Sequence, residues 1–437
     1  MDRIHVKAPE NWINDPNGFI YYKGKYHLFY QHFPYEPRWG TMHWGHCISS
    51  DLVHWQHEKI ALFPSKYDDR NGCFSGSAVE ADGKLNLFYT GVRYLEEDPD
   101  DIHLCRQNRF VSAQMRMVSE DGIHFDNIRN KETVIPVLTD PETGDAAHTR
   151  DPKVWRGSDA WYMVLGTTQN EKGKLLIYRS EDLQHWELKN SVKGTGNFGW
   201  MWECPDYFEV NGSQILLVSP MGLLKDGNRE ANQAVCAFVD FQEETCSMNI
   251  SDRWQFLDYG LDLYAPQSTV DEQGRRILTA WARMPEPVDG QWMGMLCGIR
   301  VVETENDHLY FRPHPNVMQA YSREITSPAE ASEGCYRACL ELEEGETVNV
   351  GGYQIRAAGN RIHTDRHQVF PSLEHWRKEF QTPKLTDGYH LDIYVDPNLI
   401  EVYVNQGEYV ITSTVYGLQT ILQTDTANPV RLYTLEN

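Results

Sequence analysis

The sequence is short of basic residues and has no long hydrophobic run. Lys and Arg number 40 against 63 Asp and Glu, so the formal net charge is −23. Nucleic acids and anionic membrane surfaces are bound through basic protein faces, so neither is expected as a partner. The longest aliphatic runs, such as residues 215–218, fall far below the roughly 20 residues that a membrane-spanning helix needs.

Cysteine pairs and phosphate-binding loops are also lacking. The nine cysteines are odd in number and scattered, and no Cys-x-x-Cys spacing occurs, which argues against a disulfide framework. The charged start of the chain has no apolar signal-peptide core, and together with reduced thiols this predicts a cytoplasmic protein. No glycine-rich loop ending in Lys-Ser or Lys-Thr is present, so we expect no nucleotide or other cofactor.

A glycine followed by a short strand-like run recurs along the chain. The five copies begin at Gly24, Gly83, Gly157, Gly212 and Gly274. A second signature, Ser-x-Asp-x-x-His followed by an aromatic residue, begins at Ser49, Ser119 and Ser180. Repeats of several short strands are typical of β-propeller blades, although an array of β-sandwiches is an alternative. The sequence therefore predicts an all-β protein with a five-bladed β-propeller over residues 1–320.

The pattern changes after Pro315. Residues 390–416 alternate between apolar and polar side chains, and the alternation breaks at Asp396-Pro-Asn and at Asn405-Gln-Gly, as expected for consecutive hairpins. We therefore expect a propeller catalytic domain over 1–320 and a C-terminal β-sandwich domain over 321–437. The sandwich carries no catalytic motif, so its expected role is structural or at a homo-oligomer interface.

Residues just upstream of each repeat glycine are expected to line the propeller axis. These segments begin at Trp12, Cys73, Thr149, Trp202 and Tyr264. Three of them place a carboxylate close to a proline, namely Asp15, Asp151 and Glu203. Carboxylates that share a cleft cannot all ionise with ordinary pKa values, so their environments assign acid and base roles. With Trp and Phe neighbours for stacking on sugar rings, the set favours glycoside hydrolysis, although an Asp before proline can also simply begin a turn.

At these motifs the chain resembles glycoside hydrolase family 32, the invertases, fructanases and sucrose-6-phosphate hydrolases. The Trp-Ile-Asn-Asp-Pro-Asn-Gly motif covers residues 12–18, Arg-Asp-Pro covers 150–152, and Glu-Cys-Pro covers 203–205. The resemblance implies that Asp15 is the nucleophile and Glu203 the general acid/base. It further implies that Asp151 binds fructose hydroxyls and stabilises the transition state.

The same resemblance implies further substrate contacts and a reaction type. The implied substrate-binding residues are Asn14, Gln31, Trp39, Phe74, Ser75 and Arg150. The implied reaction is the retaining hydrolysis of terminal β-fructofuranosides, such as sucrose and short fructo-oligosaccharides, through a fructosyl-enzyme intermediate. A small-molecule fructoside is therefore the expected partner.

Other members of the family act on sucrose 6-phosphate or on fructans, and these remain alternatives. A phosphorylated substrate would need basic groups near the cleft. The polar stretch 92–111 contains Arg93, Arg106 and Arg109, which could supply them if the stretch forms a loop at the cleft mouth. It could equally be a solvated excursion.

Two other classes of function are alternatives, and the histidines near the first motif raise the question of a metal site. An inverting arabinanase- or xylosidase-like hydrolase would use axial carboxylates too, and a non-catalytic carbohydrate-binding propeller would need only the aromatic platforms. The histidines nearest the first motif match no common zinc spacing, so we expect them to hydrogen-bond between strands and expect no metal. They are His27, His32, His43 and His46.

Overall fold

A computed structural model of the chain describes residues 2–194, 198–225, 228–229 and 233–436, and most of them lie in β-strands. Within these residues, five sheets of four or more strands precede residue 314. The first contains β1 (Asp2–Arg3), β2 (Asn11–Tyr22), β3 (Lys25–Phe33), β4 (His43–Ser49) and β5 (His54–His57). The second contains β6 (Cys73–Ala81), β7 (Lys84–Tyr94), β8 (Phe110–Ser119) and β9 (Lys131–Ile135). The third contains β10 (Arg150–Arg156), β11 (Trp161–Gln169), β12 (Lys172–Ser180) and β13 (Glu187–Lys193).

The fourth and fifth sheets carry short additional strands. The fourth segment comprises β14 (Met201–Val210), β15 (Ser213–Met221), the separate pair β16 (Leu224–Lys225) and β17 (Asn228–Arg229), β18 (Val235–Gln242) and β19 (Ser247–Phe256). The fifth comprises β20 (Leu263–Val270), β21 (Arg276–Ala282), β22 (Trp292–Met293), β23 (Met295–Leu296), β24 (Arg300–Glu305) and β25 (His308–Pro313). Strand β22 pairs with β2 and thereby ties the fifth segment back to the first sheet.

The innermost strands of the five sheets form a closed ring. Strand β2 contacts β6, β6 contacts β10, β10 contacts β14, β14 contacts β20, and β20 returns to β2. Sheets whose first strands meet in this cyclic order stand around a common axis, as blades do. The predicted propeller is therefore confirmed.

The two repeated sequence signatures are turns within these sheets. Each repeat glycine lies between the innermost strand of its sheet and the strand that follows it, and Lys23-Gly24, Asp82-Gly83 and Asn211-Gly212 are two-residue turns with positive φ at both positions. The Ser-x-Asp-x-x-His motifs join β4 to β5, β8 to β9 and β12 to β13. In the first copy, Asp51 Oδ1 accepts the His54 N–H at 2.8 Å while Oδ2 pairs with His54 Nδ1 at 2.8 Å. The other two copies form the same contacts, so this motif is structural.

A helix and a two-sheet unit follow the last propeller strand. Helix α1 spans Pro315–Ala320, and short 3₁₀ turns lie at Arg106–Asn108, Pro328–Glu330, Ser332–Gly334, His367–Val369 and Asn405–Gly407. The strands are β26 (Arg323–Ile325), β27 (Tyr336–Glu341), β28 (Thr347–Val350), β29 (Tyr353–Ala357), β30 (Ile362–Asp365), β31 (Glu379–Gln381), β32 (His390–Asp396), β33 (Leu399–Val404), β34 (Tyr409–Thr414), β35 (Leu422–Thr424) and β36 (Arg431–Thr434). No helix in the described ranges has the length and apolar character of a membrane span.

The C-terminal unit is the predicted β-sandwich. One sheet runs β26-β36-β27-β32-β33-β34 and the other β31-β30-β29-β28-β35. Residues of both sheets, among them Val350, Ile355, Ile393 and Val402, share one apolar core. The predicted hairpin breaks fall between β32 and β33 and between β33 and β34, as the alternation indicated. The exact division at residue 320 stays a prediction.

The sandwich packs directly against the propeller. A second apolar cluster joins Phe208 and Leu278 of the propeller to Leu399, Tyr403 and Val410 of the sandwich. Because these side chains are buried together, the two units share a hydrophobic interface rather than a flexible tether.

Candidate active site

Every innermost propeller strand carries a β-bulge at the same place. The register breaks fall between Ile13 and Pro16, Phe74 and Gly76, Arg150 and Lys153, Glu203 and Asp206, and Tyr264 and Gln267. A bulge leaves one residue unpaired and re-aims its side chain. Four bulges contain a proline, which has no N–H to offer a ladder. The fifth contains Gly76, where an added Cβ would lie 1.9 Å from the Phe88 carbonyl oxygen.

The bulges place two side chains from each strand toward the axis. The first bulge positions, two residues before the proline or Gly76, are Asn14, Phe74, Arg150, Glu203 and Tyr264. The second bulge positions, one residue before it, are Asp15, Ser75, Asp151, Cys204 and Ala265. All three predicted carboxylates and four of the six predicted substrate-binding residues stand at these positions.

Side chains at the second bulge positions form one hydrogen-bonded cluster. Ser75 Oγ donates to Asp15 Oδ2 at 2.6 Å. The Cys204 N–H donates to Asp151 Oδ2 at 2.9 Å, and its Sγ lies 3.5 Å from Asp15 Oδ2 and 3.6 Å from Asp151 Oδ2. Asp151 and Cys204 adopt φ values of +66° and +45°, which are strained for residues with a side chain. The cluster therefore holds two carboxylates side by side around one thiol.

Side chains at the first bulge positions hold Glu203. Arg150 Nη2 donates to Glu203 Oε1 at 2.7 Å, and the Tyr264 hydroxyl donates to Glu203 Oε2 at 2.6 Å. Asn14 turns the other way, since its Nδ2 donates to Asp15 Oδ1 at 3.1 Å and its Oδ1 accepts from Trp12 Nε1 at 2.7 Å. Both oxygens of Asp15 and both oxygens of Glu203 are thus fixed by neighbours.

The two aspartates have perturbed acidities. Burial raises the pKa of Asp15, the Ser75 hydrogen bond lowers it, and the nearby charge of Glu203 raises it again. Burial also raises the pKa of Asp151 to about 7, even though the Arg150 guanidinium acts in the opposite direction. Buried carboxylates that share a cleft and have shifted pKa values are a recurring feature of catalytic sites.

The raised pKa of Asp151 predicts a specific dependence of stability on pH. The folded state binds this proton more tightly than the unfolded chain, where an Asp has a pKa of about 3.9, so the stabilising contribution present at low pH is lost as pH rises toward about 7. Asp151→Asn removes the titration. We expect its melting temperature, relative to the wild type, to increase between pH 4.5 and pH 8 in thermal unfolding. A difference that stays constant over this range would contradict the assignment.

The two remaining predicted substrate-binding residues, Trp39 and Gln31, have different surroundings. Trp39 is 37% exposed, and its ring centroid lies 6.0 Å from that of Phe74, so the two form an aromatic wall beside the cluster. Gln31 is buried, and its Nε2 donates to the Cys73 carbonyl at 3.0 Å. In this structure Gln31 therefore supports the start of β6 rather than reaching the carboxylates.

The polar stretch predicted over 92–111 is shorter than expected. Strands β7 and β8 remain paired out to Tyr94 and Phe110, so only residues 95–109 form the loop. The loop packs on the segment that carries Trp39, because His103 Nδ1 lies 3.0 Å from Thr41 Oγ1.

The arginines of this stretch already have partners. Arg106 and Arg109 pair with the two oxygens of Glu96 at 2.7 and 3.1 Å. The Arg93 guanidinium lies 4.5 Å from the ring centroid of Tyr67. One carboxylate thus serves two exposed arginines, and Arg93 contacts an uncharged ring.

Two members of the cluster, Cys204 and Tyr264, are not among the predicted site residues. Cys204 contacts both Asp15 and Asp151, and the Tyr264 hydroxyl donates to Glu203. The sequence feature that indicates Tyr264 is its position relative to a proline: it stands two residues before Pro266, as Glu203 stands two residues before Pro205.

Three of the four histidines, His27, His32 and His46, hydrogen-bond between strands as predicted, whereas His43 bonds to the loop residue Thr41 just before its own strand. His27 Nδ1 lies 3.1 Å from His46 Nε2, His32 Nδ1 lies 2.8 Å from the Trp12 carbonyl, and His43 Nδ1 lies 3.0 Å from the Thr41 carbonyl. Burial lowers the pKa of His27 and of His43 to about 4. Elsewhere, Asp365, His367 and Glu379 on the sandwich place one possible ligand atom each within 4.8 Å of one another.

Comparison with known families accounts for nearly the whole chain. The glycosyl hydrolases family 32 N-terminal domain matches residues 5–313, and the family 32 C-terminal domain matches residues 306–433. The first match ends where the last propeller strand ends, and the second spans the sandwich.

Individual proteins of this family are similar over comparable lengths. The chain is 34% identical to a sucrose-6-phosphate hydrolase of Escherichia coli, over 94% of this chain and 88% of that protein. It is 36% identical to a raffinose invertase of Escherichia coli, over 94% and 89%. A Bombyx mori family 32 β-fructofuranosidase superposes with a TM-score of 0.84 at 29% identity, covering 100% of this chain and 94% of that one. The chain therefore belongs to glycoside hydrolase family 32 and is a glycoside hydrolase.

Proposed function

We propose that this enzyme hydrolyses terminal β-fructofuranosides, such as sucrose and short fructo-oligosaccharides, with retention of configuration. The observation that carries the proposal is that Asp15 and Glu203 both stand at bulge positions around one axis, where the charge of Glu203 is near enough to raise the pKa of Asp15. Retaining glycosidases need a nucleophilic carboxylate and a proton donor on either side of the scissile bond. The relatives named as invertase and β-fructofuranosidase support the substrate class, and a point mutant of the Bombyx mori enzyme was solved with sucrose.

In the proposed first step, Asp15 attacks the anomeric carbon of the fructosyl unit while Glu203 protonates the departing oxygen. The Ser75 hydroxyl and the Asn14 amide orient the Asp15 carboxylate for this attack, since each donates to one of its oxygens. Arg150 and Tyr264 fix the rotamer of Glu203 in the same way. Such positioning removes much of the orientational entropy from the barrier.

In the proposed second step, Glu203 accepts a proton from water, which hydrolyses the fructosyl-enzyme. Asp151 lies beside Asp15 across the Cys204 thiol, where a carboxylate can bind fructose hydroxyls and stabilise positive charge on the ring. We assign Trp39 and Phe74 to stacking against the sugar, and Asn14, Ser75 and Arg150 to contacts around it. Gln31 is assigned an indirect part, through the backbone of Cys73.

Among fructosides, we propose that short neutral substrates are preferred. The contacts of Arg106 and Arg109 with Glu96 and of Arg93 with the Tyr67 ring would compete with a phosphate group for these guanidinium groups. Sucrose 6-phosphate is the second candidate, because several relatives carry the name sucrose-6-phosphate hydrolase. The nine free thiols support a reducing, cytoplasmic setting, in which small imported substrates are met.

The substrate proposal is tested by comparing kcat/KM for sucrose, sucrose 6-phosphate, a short fructo-oligosaccharide and inulin. We expect sucrose or the short oligosaccharide to lead. A preference for the phosphate ester above tenfold, about 1.4 kcal/mol of transition-state binding, would reverse the order. Release from an aryl arabinoside but not from sucrose would instead identify an arabinanase-like enzyme, and no release from any substrate would indicate a binding protein.

Retention is tested separately by methanolysis. A fructosyl-enzyme transfers its sugar to methanol on the face from which the leaving group departed. We therefore expect methyl β-fructofuranoside as the early product from sucrose in aqueous methanol, observed by NMR. The α anomer as sole methyl product would indicate inversion.

A further inference from the structure

The segment that leads into the Tyr264 strand lies against the sandwich, not within the propeller. Residues 258–262 run along β34, the last strand of the six-stranded sheet, and the Tyr259 N–H donates to the Val410 carbonyl at 2.8 Å. A Cβ added at Gly260 would lie 1.8 Å from the Thr412 carbonyl oxygen, so backbone packs on backbone here. The segment thereby covers what would otherwise be an open sheet edge.

Two buried aspartates fasten this segment at its ends. Asp258 accepts the Thr412 N–H and hydroxyl, both at 2.7 Å, and Arg300 at 2.9 Å. Asp262 accepts the Thr414 N–H at 2.9 Å and its hydroxyl at 3.0 Å. The two threonines alternate with period two, so both face the segment from the same side of β34.

The charge of Asp262 is balanced from the sandwich. Both terminal nitrogens of Arg366 donate to the Asp262 carboxylate, and the guanidinium also donates to the Thr414 carbonyl at 3.0 Å and to the Arg377 carbonyl at 2.7 Å. Arg366 and Asp262 are both buried. A bidentate pair in this setting fixes the position of its partner backbone as well as its charge.

The fastened segment continues directly to the carboxylate cluster. Arg283 donates to the Leu261 carbonyl at 2.5 Å and to the Asp262 carbonyl at 3.2 Å, and its guanidinium lies 5.4 Å from the Tyr264 ring centroid. Tyr264 stands two residues beyond Asp262, and its hydroxyl donates to Glu203. The Tyr264 hydroxyl also lies 2.9 Å from the Ser219 carbonyl oxygen, so Asp262 would act together with this propeller contact in positioning Tyr264 against Glu203.

We propose that Asp262 and Arg366 are positioning residues for the reaction, through which the sandwich domain holds Tyr264 against Glu203. The sandwich then helps to position Glu203, the proposed proton donor, in addition to packing against the propeller. The proposal rests on the proposed function, in which Glu203 protonates the leaving group.

The test compares Asp262→Asn with a matched control, Asp396→Asn, in the full-length enzyme. Asp396 is also a buried sandwich aspartate that faces the propeller, and it pairs with His5 at 3.4 Å, far along the chain from β20. We expect Asp262→Asn to lower kcat/KM for sucrose about tenfold with KM little changed, because part of the 10²- to 10⁴-fold value of a general acid is lost. The loss should be smaller for p-nitrophenyl β-fructofuranoside, whose leaving group needs little protonation. Asp396→Asn should leave kcat/KM unchanged for both sucrose and the aryl substrate.

A second variant keeps the test decisive if Asp262→Asn fails to fold. Thr414→Val keeps the side-chain shape but removes one hydrogen bond to Asp262, and we expect a smaller loss with the same dependence on leaving group. Equal losses on both substrates, or behaviour like the control, would overturn the positioning role. A wild-type enzyme that does not cleave sucrose would instead overturn the proposed function, so the two failures are distinguishable.

Discussion

Asp15→Asn is expected to abolish sucrose hydrolysis while leaving the protein folded. The substitution removes the proposed nucleophile, so kcat should fall by roughly 10⁴-fold or more. The fold should survive, because the amide keeps the carboxylate shape and its oxygen can still accept from Ser75 at the 2.6 Å position. Burial raises the pKa of Asp15, so a neutral side chain is also electrostatically tolerated there.

The measurements are initial rates on sucrose and thermal unfolding of the same preparations. Asp51→Asn is a suitable control, since Asp51 makes its hydrogen bonds within the turn between β4 and β5. It should retain ordinary activity. Near-normal activity of Asp15→Asn would mean that the nucleophile lies elsewhere, and a large loss of melting temperature would mean that the lost activity reports misfolding.

Much of the site could be predicted because its residues are local in sequence and repeat in phase. Each innermost strand brings a side chain toward the axis six to ten residues before its hairpin glycine. Asp15, Asp151 and Glu203 therefore had to converge once the repeat was interpreted as a propeller. The bulges add what the repeat alone does not specify, namely that two consecutive side chains from each strand reach the cluster.

Other features depend on contacts between segments that are distant in the chain, and such contacts cannot be inferred from a single sequence. Asp262 and Arg366 are 104 positions apart, and Asp262 and Thr414 are 152 apart. Their contact depends on which sandwich edge meets the propeller, and no periodicity reports that. The 92–111 stretch was overestimated for a related reason, because cross-strand pairing out to Tyr94 and Phe110 was not visible in its polar composition.

Replacing the proton donor should give a loss that depends on the leaving group. Glu203→Gln keeps the side-chain length, and its amide oxygen can still accept from Arg150 at the 2.7 Å position. We expect kcat/KM for sucrose to fall by about 10²- to 10⁴-fold, the usual contribution of general acid catalysis. For p-nitrophenyl β-fructofuranoside the fall should be far smaller, since that leaving group departs without a proton. The kcat should stay low for both substrates, because the water step still lacks its base.

Azide separates the two roles of Glu203, because it attacks a fructosyl-enzyme without needing a general base. With the aryl substrate, added azide should raise the kcat of Glu203→Gln and give fructosyl azide, while it leaves the wild type unchanged. Glu209→Gln is the matched control, since Glu209 lies on the same strand but is exposed and contacts Tyr207 and Gln214. If the variant lost activity equally on both substrates and azide did not restore it, Glu203 would support the architecture of the cluster rather than transfer protons.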